Sequence, residues 1–145
     1  ESALLHTLDA LEKEDSSFDV LTLLEPTSPL RRASTVSRCI RRLIDSDGES
    51  LLTVRPIHDN LGRLQNGLFR PLFPGAPRRQ QERETLYAEA GVAYVCRIPW
   101  FRATKSFVAT NWLAEPVSEE EAIDINEPLD LLVAETMINR TKAES

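Results

Sequence analysis

Three groups of polar residues could carry chemistry, and they lie far apart along the chain. They are Glu25, Thr27, Ser28 and Arg31 in the first group, Arg78, Arg79 and Gln80 in the second, and Asp124 with Asn126 in the third. Guanidinium groups suit carboxylates or phosphates, whereas carboxylate and amide oxygens suit Mg2+. The chain therefore offers cationic groups for an anionic ligand and oxygen donors for a divalent metal ion.

The first group occupies a stiff loop that follows a short apolar run. The run Asp19–Leu24 has the composition of a strand buried on both faces of a parallel sheet. Pro26 and Pro29 fix two backbone angles in the loop, so its polar groups are ordered at low entropic cost. Ligands of open α/β sheets bind at the carboxyl ends of strands. The loop is therefore either the wall of a site or a structural strand-to-helix turn, and its residues alone favour neither.

The other two groups also have structural interpretations. Arg78 and Arg79 stand beside two amides and suit an anion, but arginine pairs are common on protein surfaces. Asp124 and Asn126 would share one face of a strand and present their oxygen atoms together to Mg2+. Asn126 also precedes Glu127 and Pro128, which is the pattern of a helix N-cap.

Apolar periodicity predicts an α/β fold with a mostly parallel sheet flanked by helices. Helices are predicted over Ser2–Glu14, Ser34–Ile44 and Pro99–Phe107 and after Pro128, and strands over Asp19–Leu24, Ser50–Ile57, Gly91–Ile98, Trp112–Val117 and Ala122–Asn126. The arginines of the second helix are expected to form a solvated face. The last helix is expected to carry an apolar stripe between Leu129 and Met137.

The stretch 58–77 interrupts this alternation with glycines and prolines. Asn66-Gly67 predicts a two-residue hairpin turn between Gly62–Gln65 and Leu68–Arg70. A hairpin of this size cannot bury its own faces. We therefore expect it to cover a site or to pack on a partner subunit.

Composition limits the functional classes. The 145 residues carry 17 basic and 23 acidic side chains, a net charge of −6, which gives no basic excess for binding nucleic acid or an anionic membrane. No apolar run approaches the length of a membrane span, so we expect a cytoplasmic protein. Cys39 and Cys96 have apolar neighbours and are expected to be small buried residues. The chain begins with Glu1 inside a helical pattern, which indicates part of a longer protein.

Three segments, in this order, resemble the acylneuraminate cytidylyltransferase family, which includes the CMP-sialic acid synthetases and their Kdo-type relatives. LLEPTSPLR, from Leu23 to Arg31, is similar to the family's LLQPTSPLR. The segment Arg78 to Tyr94 resembles its RRQ motif with the following Tyr and NGA-like strand. AIDINEPLDLLVAE, from Ala122 to Glu135, resembles its IDID, Pro, DL, AE ending.

The resemblance implies a Rossmann-like nucleotidyltransferase that joins CTP to an acidic 2-keto sugar and releases pyrophosphate, with the help of Mg2+. It also implies a homodimer in which the hairpin region, here Gly62 to Phe73, crosses to the neighbour. The family's opening strand and its phosphate-cradling loop have no counterpart in these residues. The chain is therefore expected to be a partial cytidylyltransferase domain, spanning 1–145, that is inactive by itself.

The resemblance also assigns site residues. Those assigned to substrate binding are Glu25, Ser28, Arg31, Arg78, Arg79, Gln80 and Ala90, and those assigned to the metal are Asp124 and Asn126. Glu25, Ala90 and Asn126 stand where the family has Gln, Asn and Asp, and these departures bear on substrate choice or activity. Two alternatives therefore stay open: a catalytically weak relative that binds a nucleotide or a sugar or serves as a partner subunit, and a nucleotidyltransferase with another sugar or nucleotide.

Overall fold

Helices and strands alternate along the chain, as predicted for an α/β fold. The computed structural model describes residues 2–13 and 17–143. Its helices are α1 (Ser2–Glu12), α2 (Ala33–Ile44), α3 (Ile98–Thr104) and α4 (Pro128–Ala143), and its strands are β1 (Val20–Leu23), β2 (Ser50–Ile57), β3 (Gly62–Gln65), β4 (Leu68–Pro71), β5 (Leu86–Arg97) and β6 (Trp112–Pro116). The predicted end of the first helix, at Glu14, lies outside the described residues.

The chain divides into two compact units. One is formed by Glu1–Arg55 with Glu89–Ser145, and the other by Pro56–Ala88. The second unit contains the stretch 58–77 that interrupts the predicted alternation. Among the described residues, no helix is long and apolar enough to cross a membrane.

A four-stranded sheet in the order β1-β5-β2-β6 forms the centre of the first unit. β1 pairs antiparallel with β5, and β2 pairs parallel with β6. The Arg97 N–H donates to the Glu49 carbonyl, and the Ala93 N–H donates to the Thr53 hydroxyl, so β5 runs opposite to β2. Three of the four strands therefore share one direction, and β5 alone opposes them.

β1 differs from its predicted environment. Its four residues are half-buried rather than fully buried, and its neighbour β5 is antiparallel. Within the described part of the sheet β1 lies at an end, so only one side of it is paired. A short strand in that place leaves apolar side chains partly uncovered, and Leu24 is indeed exposed.

Helices cover both faces of this sheet. On one face, Cys39 and Leu43 of α2 pack against Leu51 of β2 and Val95 of β5. On the other face, buried residues of α1, β5 and α3 form a second cluster, with the members Leu8, Cys96, Ile98 and Phe101. Consecutive strand residues point to opposite faces, which explains why Val95 and Cys96 belong to different clusters. Neither cysteine is in a disulfide, and burial raises the pKa of the Cys39 thiol to about 11 and that of Cys96 to about 12, as expected for inert packing groups.

Two predictions near the carboxyl end of the chain are corrected. Residues 122–126 form turns and irregular backbone instead of a strand. The Ala122 and Ile123 N–H groups bond back to Ser118 and Glu120, which closes local turns and removes them from strand pairing. The apolar residues Leu129, Leu132 and Val133 of α4 are exposed, whereas the small Ala134 is buried.

In the unit Pro56–Ala88, β3 and β4 form the predicted hairpin. Asn66 and Gly67 both adopt positive φ angles, 51° and 76°, as a two-residue type I′ turn requires. The hairpin and the segment after it expose five large apolar side chains, namely Leu64, Leu68, Phe69, Leu72 and Phe73.

Candidate functional site

Three segments meet in the first unit at the edge where β1 and β6 end. The loop after β1 bonds to β5, since the Ser28 hydroxyl donates to the Gly91 carbonyl at 3.0 Å. The same loop bonds to the segment after β6, since the Ile125 N–H donates to the Thr27 carbonyl at 2.8 Å. Each of these segments contributes predicted site residues, and the fold brings these residues together at one edge of the sheet.

Ser28 and Arg31 hold this loop in place. Ser28 is only 3% exposed, and its hydroxyl is used by Gly91. The Arg31 guanidinium donates to the Val92 carbonyl and to the Glu25 carbonyl, each at 2.5 Å. These charge-assisted bonds fix the loop against β5. Both side chains therefore shape the wall of the site through the main chain.

Glu25 and Ala90 differ in how they lie at this edge. A Cβ atom at Gly91 would come within 3.0 Å of the Glu25 carboxylate, so that carboxylate lies over the Gly91 backbone. Ala90 is only 2% exposed and packs with Val92 and Val117. A methyl group fills this place, and a longer polar side chain here would enter the core.

Tyr94 lies among carboxylates at the same edge. Its hydroxyl donates to Glu89 at 2.6 Å. Burial raises the pKa of Tyr94 well above its ordinary value, and the hydrogen bond to Glu89 and the charges of Glu89, Glu25 and Asp124 add to this effect. Of these carboxylates, Glu89 is the one to which the Tyr94 hydroxyl is hydrogen-bonded.

Asp124 and Asn126 lie in contact, although they are not on a strand. The Asn126 amide donates to Asp124 Oδ2 at 2.8 Å. Asp124 Oδ1 is buried and has no hydrogen-bond partner among the described residues. The Asn126 side chain does not cap α4. Instead, the Asp130 carboxylate accepts the N–H groups of Asn126 and Glu127 at the start of this helix.

The described residues contain no group of three His, Cys, Asp or Glu side chains that could hold a metal ion. An unpartnered carboxylate oxygen is nevertheless the kind of donor that Mg2+ prefers. Asp124 supplies too few ligands for a metal cage built by the protein alone, so a metal ion here would take most of its ligands from a bound molecule or from water.

A carboxylate of the chain itself occupies the N-terminus of α2. Glu121, only 4% exposed, accepts the Arg32 N–H at 3.0 Å and the Thr35 hydroxyl at 3.1 Å. In a capping box, a glutamate of the helix itself accepts the N–H of the N-cap residue, and here Glu121 does this from outside the helix. Its negative charge also suits the positive end of the helix dipole. An anionic ligand is therefore not needed at this helix end.

The arginines of α2 are not simply a solvated face. Arg38 and Arg42 each bond to one oxygen of Glu115 on β6, both at 2.7 Å. Burial alone would raise the pKa of Glu115, but the hydrogen bonds from the two arginines outweigh burial and lower it. The pair fixes α2 against the strand that leads to the site.

The second unit holds the Arg78, Arg79 and Gln80 group. All three side chains are exposed, and Arg79 pairs with Glu82 at 3.3 Å. Gln80 lines a cavity of about 210 Å³ within this unit. The lining is mixed. Its apolar residues are Ile57, Leu61, Phe73, Ala76, Pro77 and Leu86, and its polar residues besides Gln80 are His58, Asp59, Asn60, Arg83 and Glu84.

The contacts of Glu89, Tyr94 and Glu121 are not predicted from the sequence. In the sequence, Tyr94 is only the end of a motif, and Glu121 is only part of an acidic loop. Glu89 could have been found from the sequence, because it lies two residues before Gly91 on the strand that contains Tyr94. This spacing puts a carboxylate near the glycine. Glu121 offers none, since its partners lie 86 and 89 residues away in the chain.

No protein-family model matches the chain. Among solved structures, it is similar to the crystal structure of 2-C-methyl-D-erythritol 4-phosphate cytidylyltransferase from Thermus thermophilus. The TM-score is 0.55 at 18% sequence identity, and the match covers 90% of this chain and 67% of that chain. At this identity the likeness concerns the fold, so the chain has an α/β fold like that of a nucleotidyltransferase.

Proposed function

We propose that this chain belongs to an enzyme that joins CTP to an acidic 2-keto sugar of the sialic acid or Kdo class, giving a CMP-sugar and pyrophosphate. The single observation that carries the proposal is the meeting of the LLEPTSPLR loop, the strand around Gly91 and the segment around Asp124 at one edge of the sheet. These are segments on which the resemblance to the acylneuraminate cytidylyltransferases rests. The similarity in fold to a cytidylyltransferase supports the same reaction class.

In the proposed reaction, the anomeric hydroxyl oxygen of the sugar attacks the α-phosphorus of CTP. A new O–P bond forms, the bond between the α-phosphorus and the bridging oxygen breaks, and pyrophosphate leaves. The hydroxyl proton is taken up by a base or by water. The protein's main tasks are to align the two substrates and to compensate the phosphate charge.

The residues divide between these tasks. In the second unit, Arg78, Arg79 and Gln80 receive the carboxylate and hydroxyl groups of the sugar. In the first unit, Ser28 and Arg31 hold the loop after β1 against β5. Asp124 Oδ1 and the side-chain amide oxygen of Asn126 are the proposed protein ligands of Mg2+. When bound, this ion would neutralise phosphate charge. Because Asn126 carries no charge, metal affinity depends largely on the nucleotide.

The enzyme is proposed to act as a cytoplasmic homodimer. The exposed apolar side chains of the hairpin, such as Leu64 and Phe69, are the surface that a second copy would cover. Light scattering measures the molar mass of the Leu64→Asp variant and of the wild-type protein, and the variant is expected to be a monomer. A dimer that persists in the variant argues against the hairpin as the contact.

The proposal is tested by pyrophosphate release from CTP with the full-length protein and Mg2+, using N-acetylneuraminate and Kdo as probes. Release with at least one acidic sugar supports it. Asp124→Ala should reduce kcat/KM by about a hundredfold or more. Asp47→Ala, an exposed aspartate in the turn after α2, is the matched control and should change little. A folded protein that releases no pyrophosphate with any acidic sugar would count against the proposal.

A second candidate is a catalytically weak relative that binds a nucleotide or sugar or serves as a partner subunit. The carboxylates of Glu25, Glu89 and Asp124 around Tyr94 favour it, because they would repel an anionic substrate. Glu25→Gln with Asn126→Asp restores the family's residues at two places. If this double variant binds CTP but gains no turnover, the binding role is favoured.

A third candidate is a nucleotidyltransferase for another sugar or nucleotide. The structural neighbour is a cytidylyltransferase for a methylerythritol phosphate, which favours CTP and leaves the second substrate open. Calorimetry comparing CTP with ATP, GTP and UTP separates the nucleotides. Tighter binding of a purine nucleotide than of CTP would favour this candidate over the first.

A further inference from the structure

Arg83 bonds mainly to the backbone of the loop that precedes it. Its Nε donates to the Pro77 carbonyl at 2.6 Å, and one terminal nitrogen donates to the Arg78 carbonyl, also at 2.6 Å. A longer contact of 3.5 Å joins the other terminal nitrogen to the His58 carbonyl. The main-chain N–H of Arg83 donates to the Gln80 carbonyl at 3.2 Å. Side chain and main chain together close the segment 77–83 into a fixed loop.

The three arginines of this segment therefore have different tasks. The guanidinium of Arg83 is used by carbonyl groups of the protein, whereas Arg79 is exposed and only one of its terminal nitrogens pairs with Glu82. Arg78 is exposed, and its side chain has no hydrogen bond or ion pair within the described part of the chain. Its guanidinium keeps all its donors for a ligand.

We propose that Arg83 is a positioning residue, which folds the segment 77–83 so that Arg78 and Gln80 are presented to the acidic group of the sugar. This proposal rests on the function proposed above. Arg83 lines the same cavity as Gln80, but each nitrogen of its guanidinium donates to a carbonyl group of the protein, so Arg83 is proposed to act through the loop and not by binding the sugar itself. Its effect passes through the carbonyl groups of Pro77 and Arg78, which set the direction in which the neighbouring side chains leave the backbone.

An arginine is required for this task. A planar fork donates to two successive carbonyl groups at once, whereas a lysine ammonium is a point donor on a flexible chain. Lysine at this position keeps the charge but can hold only part of the loop. Arg83→Lys should therefore give a partial effect, and Arg83→Gln a full one.

The loop contact is measured without any ligand by limited trypsin digestion of the full-length protein. The Arg83→Gln variant should be cut after Arg78 or Arg79 about tenfold faster than the wild type, because the open form of the loop becomes more populated. Cleavage after Arg63, in β3 of the same unit, is the internal reference and should keep its rate. Equal rates of cleavage after Arg78 in the variant and the wild type would overturn the proposal. If cleavage after Arg63 also becomes faster, the Arg83→Gln variant has unfolded the unit, and the Arg83→Lys variant is used instead. Arg83→Lys should then raise cleavage after Arg78 alone, and no such rise would overturn the proposal.

The positioning role is measured by steady-state kinetics with the probe sugar that the wild type accepts. Arg83→Gln should raise KM for the sugar about tenfold or more, with KM for CTP and kcat nearly unchanged. Arg83→Lys should restore part of the loss. Arg41→Gln, on the exposed face of α2, is the control and should change neither constant.

The two assays separate the possible failures. Faster cleavage with an unchanged KM for the sugar would overturn the positioning role while the loop contact stands. A wild-type protein that neither turns over nor binds either probe sugar would overturn the proposed function and this role together. In that case the digestion still reports whether Arg83 holds the loop.

Discussion

Replacing Glu121 with alanine should destabilise the protein strongly, because this carboxylate joins two parts of the chain at the site edge. It is buried and accepts hydrogen bonds from the Arg32 N–H and the Thr35 hydroxyl. Hydrogen bonds to a charged group contribute about 1.5–3 kcal/mol each, and part of this is regained by relaxation and water entry. We therefore expect Glu121→Ala to cost about 3–5 kcal/mol of the free energy of unfolding. Glutamine keeps the shape and one acceptor, so Glu121→Gln should cost about 1–2 kcal/mol.

The neighbouring Glu120 provides the matched control. It pairs with Arg32 at 3.8 Å, and both side chains are more than half exposed. Such a pair contributes at most about 1 kcal/mol, so Glu120→Ala should change stability little. Urea unfolding with fitted m-values measures all three variants, and thermal unfolding should shift by about 6–15 °C for Glu121→Ala. If Glu121→Ala costs no more than Glu120→Ala, the carboxylate does not cap α2 as described.

Three further predictions concern the same unit. Hydrogen bonds from Arg38 and Arg42 lower the pKa of Glu115 below its ordinary 4.5, so the stability that the Glu115 carboxylate adds is present above pH 4.5 and is lost as the pH falls below this value. Glu115→Gln should remove this pH dependence and cost about 1–2 kcal/mol of the free energy of unfolding at neutral pH, as measured by urea unfolding at several pH values. Ala90→Asn should cost about 2–4 kcal/mol, because it puts a polar amide into the core, whereas Ala114→Asn at an exposed strand position should cost far less in the same assay. Because the pKa of Tyr94 is raised above its ordinary 10.0, the free energy of unfolding should decline as the pH rises above 10. Ultraviolet titration should show one tyrosine that ionises at unusually high pH in the wild type and at lower pH in Glu89→Gln.

The elements that the sequence predicts well have strong local signals. β2 is predicted over Ser50–Ile57 and is found over the same residues. The hairpin turn at Asn66 and Gly67 is confirmed because these residue types adopt positive φ angles readily. α3 begins where a proline at the first turn indicates a helix start. Such features depend on neighbouring residues alone.

The features that the sequence predicts wrongly depend on distant residues. The composition of β1 resembles that of a buried parallel strand, yet its environment is set by its place at the sheet end and by β5, more than 70 residues later. Arg38 and Arg42 are about half exposed, as predicted, but their ion pairs with Glu115 are not foreseen, because this residue lies more than 70 residues away in the chain. Asp124 and Asn126 have strand-like spacing, but the contact between Ile125 and Thr27 holds them in a loop.

The candidate site is predictable in its location more than in its details. The stiff loop from Leu23 to Arg31 does follow a strand and does meet the segment around Asp124. The internal use of Ser28 and Arg31 could not be read from the sequence, because their partners are backbone carbonyls that carry no residue signature. The roles of Arg78, Arg79 and Gln80 as ligand contacts stay predictions.

The full-length protein is proposed to make a CMP ester of an acidic 2-keto sugar, and identifying its nucleotide products is the decisive test. The protein is incubated with CTP, Mg2+ and either N-acetylneuraminate or Kdo, and the nucleotide products are identified by mass spectrometry. We expect a CMP-sugar in amounts equal to the pyrophosphate released, and no CMP-sugar from the Asp124→Ala variant. A folded protein that forms no CMP ester with either sugar, or that transfers CMP only to the phosphate of a sugar phosphate to give a CDP-sugar, would contradict it.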